Sequence, residues 1–219
     1  MTDAKRLHRR RTRAVHESAK QERRRDLLAA AERLFAARDY EEVAVAEIAS
    51  AARLAKGTVY LYFGTKEELF LELVSRQLVA WTTQLTENLR GESSASHAAR
   101  VVASTLAERP VLLRLLALLH VVLERNVDAG LMNAFKHRLL ELIAQPAQML
   151  ENVLGLSPGR GIQVLLWMHG LIVGLSQMAN PSPVLAGVLN RDEALRVFRL
   201  DFQSEFEAAL AALFRGVSS

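Results

Sequence analysis

The chain has 219 residues, half of them hydrophobic, no cysteine and a formal net charge of +4. It has ample core-forming material, and the missing cysteines exclude disulfides and thiolate metal sites. Ala, Leu, Glu and Arg dominate while Gly and Pro number only 11 and 5, so the expected fold is all-α.

The first 25 residues carry ten Lys/Arg and three Asp/Glu, a net of +7, and the rest of the chain sums to −3. An arm of this kind favours a polyanion, nucleic acid first among them; a solvated tail is the plainer reading. Residues 1–20 show no apolar period over most of their length and are expected to be a disordered basic arm. No apolar stretch follows the charged start, so no secretory signal is expected, and a cytoplasmic location follows from that reading.

From about Ala19 the pattern Leu27, Leu28, Ala31, Leu34 and Phe35 gives the stripe of an amphipathic helix, expected to stop near Asp39–Tyr40. A short helix follows over Val45–Ala51, then a turn at Ala52–Leu54 and a third helix over Ala55–Tyr62. Thr65 with Glu68 forms a capping box that opens a fourth helix ending near Leu89. Gly91–Ser96 is the clearest linker. Beyond it helices are expected at His97–Glu108, Pro110–Asn126, Asp128–Leu154, from Ser157-Pro158 to Ala179, and from Asn190 to Phe214. About nine helices result, and no strand alternation is visible. The apolar runs Val111–Leu123 and Val164–Leu175 are interrupted by Arg114, His120 and His169. They are too short to span a bilayer and read as buried core helices.

Residues 44–63 combine two short helices joined by a tight turn, the second rich in Lys, Thr and Tyr. This is a helix-turn-helix pattern, in which the second helix lies in the major groove and the first braces it. Ile48, Ala49, Leu54, Val59 and Phe63 supply the apolar contacts that fix the pair. Residues 21–81 resemble the DNA-binding domain of the TetR family. The resemblance rests on Ala30, Leu34, Phe35, Ile48-Ala49, Ala52, Lys56-Gly57-Thr58-Val59-Tyr60, Phe63 and Lys66-Glu67-Glu68-Leu69.

That resemblance implies a transcription regulator on double-stranded operator DNA, with Arg53, Lys56, Gly57, Thr58, Tyr60, Leu61, Tyr62 and Lys66 at the interface. Lys56 would meet phosphate or a guanine edge, the hydroxyls would meet phosphates or bases, and Lys66 with the N–H groups opening the fourth helix would hold a phosphate. The chain departs from the family at Ala44, where Thr is usual, and at Arg53 and Asp39, where Gly is usual. Ala55 stands where Ser is usual. Lost caps cost about 1 kcal/mol each, and Leu61, often polar in the family, is suited to a thymine methyl. Because residues 26–75 are net acidic, Arg9, Arg10, Arg11 and Arg13 of the arm are expected to add phosphate neutralisation from the minor groove.

Residues 82–219 resemble the family more weakly, and by its architecture form a ligand-binding and dimerisation domain. A homodimer is expected through Gly170, Gly174, Phe198, Phe202 and Phe206. A small-molecule effector pocket is implied over Leu116, His120, Phe135, Leu139, Met149, Trp167 and Met168, although plain core packing is the more ordinary reading of each. Few aromatics suggest an apolar, lipid-like ligand. His120, His137 and His169 have no i+4 partner, so neither a metal site nor a cofactor is expected. An enzyme is the main rival reading, but no phosphate loop, HExxH, GxSxG or cysteine nucleophile is present. Gly155–Gly161 follows a helix and reads as a helix-start loop. A membrane-surface or scaffold protein using the basic arm is the third reading. The expected mechanism is a repressor released when ligand changes the spacing of two recognition helices.

Overall fold

The computed structural model describes residues 3–89 and 94–218, with side chains from Glu17 onward. Ten α-helices and two irregular helical turns account for the secondary structure among the described residues, with no strand. The chain divides into two compact units, Met1–Leu73 and Val74–Ser219.

In the first unit α1 runs Asp3–Ala37. It starts at Asp3, not near Ala19, so the basic segment is helical and not the disordered arm the sequence suggested. Residues 3–20 contain Ala, Lys, Arg and Leu and no Gly or Pro, so they extend a helix already nucleated downstream at little cost. Leu27, Leu28, Ala30, Ala31 and Phe35 are buried, as the apolar stripe requires. Phe35 and Tyr40 both meet Phe70 edge-on, with centroids at 5.4 and 4.9 Å. The helices α2 (Val45–Ala51) and α3 (Lys56–Val59) form the helix-turn-helix, and α4 covers Lys66–Asn88. The α3 helix is half the expected length. Gly57, β-branched Thr58 and Val59, and the two tyrosines are weak helix formers, so the segment continues to Phe63 through tight turns, with Tyr62 N–H donating to the Val59 carbonyl at 2.9 Å.

In the second unit α5 (Ala95–Ala107), α6 (Pro110–Leu118), α7 (Ala129–Leu154) and α8 (Arg160–Ala179) pack around Val102, Leu106, Leu112, Leu115, Leu150, Val164 and Met168. The α6 helix ends in a π-turn over Leu119–Leu123, closed by a bond from Glu124 N–H to the Leu119 carbonyl. The loop into α8 uses Gly155 (φ +67°) and Gly159 (φ +88°) in left-handed backbone. Gly161 permits a close crossing, since a Cβ there would fall 2.1 Å from the Ala147 carbonyl oxygen. The α8 helix thus begins at Arg160 after a Gly159 cap, not at Ser157-Pro158. At 20 residues it is long and apolar enough to cross a membrane, against the sequence expectation, yet it packs on α6, α7 and the last helix.

The single helix expected over 190–214 is three elements. An unforeseen α9 (Pro183–Arg191) is capped by Ser182, a 3-10 turn (Glu193–Phe198) is capped by Asp192, and α10 (Phe202–Val217) is capped by Asp201. Ser182-Pro183 is itself a helix start, and in place of the cap expected at Asn190, Asp192 accepts from Ala194 N–H and Asp201 from Ser204 N–H. Phe206, Leu210 and Phe214 of α10 are fully buried, and α10 packs chiefly on α5.

Candidate nucleic-acid interface and ligand domain

The turn between α2 and α3 is a Schellman motif. Leu54 N–H donates to the Ala49 carbonyl at 2.8 Å and Arg53 N–H to the Ser50 carbonyl at 2.9 Å. The residue that must adopt left-handed backbone is Arg53, at φ +58°, the one non-glycine in that region among the described residues. The α2 N-terminus keeps half of a capping box. Ala44 has no side-chain oxygen, but Glu47 Oε2 accepts its backbone N–H at 3.0 Å. Glu47 also pairs with Arg38 at 2.9 Å, and these two bonds hold its carboxyl below the usual range. The Thr65 hydroxyl caps α4 by accepting Glu68 N–H at 3.1 Å, while Glu68 reaches back to Gly64 N–H at 2.5 Å.

Behind the recognition segment a clamp that the sequence did not reveal ties α1 to α4. Arg24 Nε donates to Glu72 Oε1 at 2.7 Å, and its other arm also meets the Glu72 carboxylate. Its Nη1 donates to the Tyr62 carbonyl at 3.1 Å, and the guanidinium lies 4.5 Å from the Phe63 ring centre. One side chain thereby fixes the end of the recognition segment to two helices. Arg24 and Glu72 lie 48 positions apart, so no local pattern announces them.

With this brace behind them, Arg53, Lys56, Gly57, Tyr60 and Leu61 are exposed and share one short segment, whereas Thr58 and Tyr62 are half-buried. Leu61 is 78% exposed, far more than a core leucine would be. Lys66 departs from expectation. Its ammonium donates to the Tyr40 carbonyl and lies 3.9 Å from the Tyr40 ring centre, so it braces the fold in addition to the phosphate role expected of it. Burial lowers its pKa, against the raising effect of Glu41 and Glu67. The side chains of Arg9, Arg10, Arg11 and Arg13 lie outside the described residues.

In the second unit Leu116, Phe135 and Met168 of the expected pocket are buried, Leu139 and Met149 are half-buried, and His120 and Trp167 are exposed. They sit on α6, its π-turn, α7 and α8, elements that pack together. A cleft of about 210 Å³ under α9 is lined by Met178, Leu189, Phe198 and Leu200, and a groove of about 490 Å³ by Gln84, Glu108 and Arg109; neither includes a residue of the expected set. The histidines read as solitary are not all so. His120 and His169 meet edge-to-face at 4.8 Å. His120 Nδ1 lies 3.0 Å from Glu124, which also accepts from Lys136 at 2.6 Å. Among the described residues no cluster of three or more His, Cys, Asp or Glu is placed to hold a metal.

Of the expected dimer residues, Gly170 and Gly174 lie on the exposed face of α8 with open space where a Cβ would stand. Phe198 is 60% exposed and Phe202 half-buried. Phe206 is fully buried within its own chain, stacked with Phe202 at 5.2 Å, which removes it from any contact surface.

Comparison with known proteins agrees with this geometry. Residues 27–73 match the model of the bacterial regulatory proteins of the tetR family, and residues 75–219 match the tetracyclin repressor-like C-terminal domain. Among solved structures the chain is similar to a transcriptional regulator from Rhodococcus sp. Rha1 (18% identity, TM-score 0.59, 90% of this chain and 98% of that one). It is also similar to a TetR-family transcriptional regulator from Streptomyces coelicolor (21%, 0.58, 89% and 99%). A third similar structure is the regulator FadR from Bacillus subtilis in complex with stearoyl-CoA (19%, 0.52, 86% and 96%). No curated protein matches the chain. With a helix-turn-helix in the first unit, an all-helical second unit and both family models together spanning nearly the whole sequence, the chain belongs to the TetR family of transcription regulators.

Proposed function

We propose that the protein is a homodimeric repressor that binds a two-fold operator and leaves it when an apolar small molecule enters the second unit. The observation that carries the DNA-binding part is the braced recognition segment. Arg53, Lys56, Tyr60 and Leu61 are solvent-facing while Arg24, Val59 and Phe63 hold the backbone beneath them. Arg53 and Lys56 are suited to phosphates or guanine edges and Leu61 to a thymine methyl.

Dimerisation is supported by α8. Leu166, Trp167, Gly170, Gly174 and Met178 leave an apolar, partly small-residue face uncovered, and two half-sites require two copies. The helical form of residues 3–20 changes the reading of the arm. An α-helix is about 10–12 Å wide and a B-DNA minor groove about 6 Å, so the arm would contact phosphates from outside or unwind on binding. A lipid-like effector is favoured by the aliphatic makeup of the second unit. A regulator in complex with an acyl-CoA among the similar structures fits the same reading.

Selection of random duplexes by the purified protein, repeated across salt concentrations, tests the proposal. A palindromic motif supports the dimeric operator binder. Salt-sensitive binding without sequence preference would overturn it and return the scaffold reading.

A further inference from the structure

The imidazole Nε2 of His169 is buried and has no hydrogen-bond partner. An unsatisfied buried polar atom is costly to a fold, and native structures keep few of them. It stands where α8 faces the π-turn of Leu119–Leu123, a type of helical defect common at functional positions. Its neighbour His120 comes from that turn. His120 in turn is bound through Nδ1 to Glu124 at 3.0 Å, which leaves its own Nε2 facing away from that carboxylate. Leu116, Phe135 and Met168, on the same packed elements, are all buried, while His120 itself is exposed on the side where Glu124 and Lys136 stand.

We propose that the His120–His169 pair is the polar end of the effector site, and that it takes an uncharged amphipathic molecule whose hydroxyl or carbonyl hydrogen-bonds to His169 Nε2. This rests on the ligand-binding reading of the second unit given above. An imidazole serves either ligand type, since its Nε2 accepts from a hydroxyl or, in the other tautomer, donates to a carbonyl. An anionic head is disfavoured because Glu124 already stands at His120, its charge shared with Lys136. Burial, with His120 second, also holds the His169 pKa down to about 4, so no imidazolium is present at neutral pH to meet a carboxylate. The π-turn offers the give that entry needs, because its one-residue excess can be redistributed along α6.

The test uses 1-decanol, methyl decanoate and decanoate as probes, with calorimetry on the full chain and 15N spectra of labelled histidine. Expected are roughly tenfold tighter binding of the two neutral probes than of decanoate and a shift of the His169 Nε2 resonance on titration. His169→Leu should erase the preference while retaining weaker binding, and His169→Gln should restore part of it. Preference for decanoate, or an unmoved His169 resonance with all probes bound, overturns the pair as polar end but leaves the pocket reading intact. Failure of all three probes to bind the unaltered protein overturns the lipid-like pocket reading and this inference with it.

Discussion

The ammonium of Lys66 lies 3.9 Å from the ring centre of Tyr40 and donates to the Tyr40 carbonyl, while the Tyr40 hydroxyl donates to Glu67 at 3.0 Å. The start of α4 and the turn that follows α1 are therefore linked by two consecutive charged residues acting on one tyrosine. Lys66→Ala removes a cation–π contact and a charge-assisted hydrogen bond, together worth about 1–2 kcal/mol. Thermal denaturation should show that loss. Lys56→Ala, at an exposed position, should leave stability unchanged and lower the salt slope of DNA binding by about one phosphate. Equal stability of the two variants would remove the brace assigned to Lys66.

Arg53 occupies a left-handed position where a side chain costs about 1 kcal/mol or slightly more. Arg53→Gly should raise stability by about 1 kcal/mol and at the same time weaken operator binding, since an exposed cation is lost. Paired measurements of melting temperature and affinity check it. A variant that loses both would mean that the Arg53 side chain makes a supporting contact within the fold.

Stability should depend on pH through His169. Its folded pKa, about 4, lies below the unfolded value near 6.5. The unfolded chain therefore binds the extra proton between those values, and stability falls as pH drops from about 6.5 toward 4. The full effect is on the order of 3 kcal/mol. His169→Leu should flatten this limb in denaturant titrations at pH 7, 5.5 and 4.5, leaving the carboxylate losses at lower pH that Glu47, Glu124 and Asp201 bring. An unchanged limb would show that His169 is not the group responsible.

The glycines of α8 should divide sharply. Gly161→Ala forces a methyl onto the Ala147 carbonyl and should destabilise by about 3 kcal/mol. Gly174→Leu meets open space and should leave the folded chain intact, or slightly steadier by helix propensity, while weakening self-association in sedimentation measurements. Unaltered association would take Gly174 out of the proposed interface.

The helix-turn-helix was legible because its determinants are local: a period, a turn and a cap within about twenty residues. The stripe Leu27–Phe35, the core residues Ile48, Val59 and Phe63, and the Thr65 cap all appear where the pattern puts them. What the sequence hid depends on distant pairs. Arg24 with Glu72 and His120 with His169 are each nearly fifty positions apart, and the internal partner of Lys66 is a backbone carbonyl that no residue pattern marks. The 190–214 helix was misread because Phe198, Phe202 and Phe206 share a helical spacing that the caps at Asp192 and Asp201 interrupt. Residues 3–20 were misread because high charge suggests disorder, although their individual propensities favour helix.

The interruption between α8 and α10 has a consequence for how this fold can vary. The α9 helix buries only Leu189 and the 3-10 turn buries no residue, while Asp201 restarts α10 on its own cap. The phase of Phe206, Leu210 and Phe214 against α5 is therefore set after the interruption and not transmitted through it. Residues can be gained or lost between 183 and 198 without rotating that stripe out of the core. This stretch is where length differences among related sequences should accumulate, and where a tag or a reporter domain could be inserted with the least disturbance to the rest of the chain.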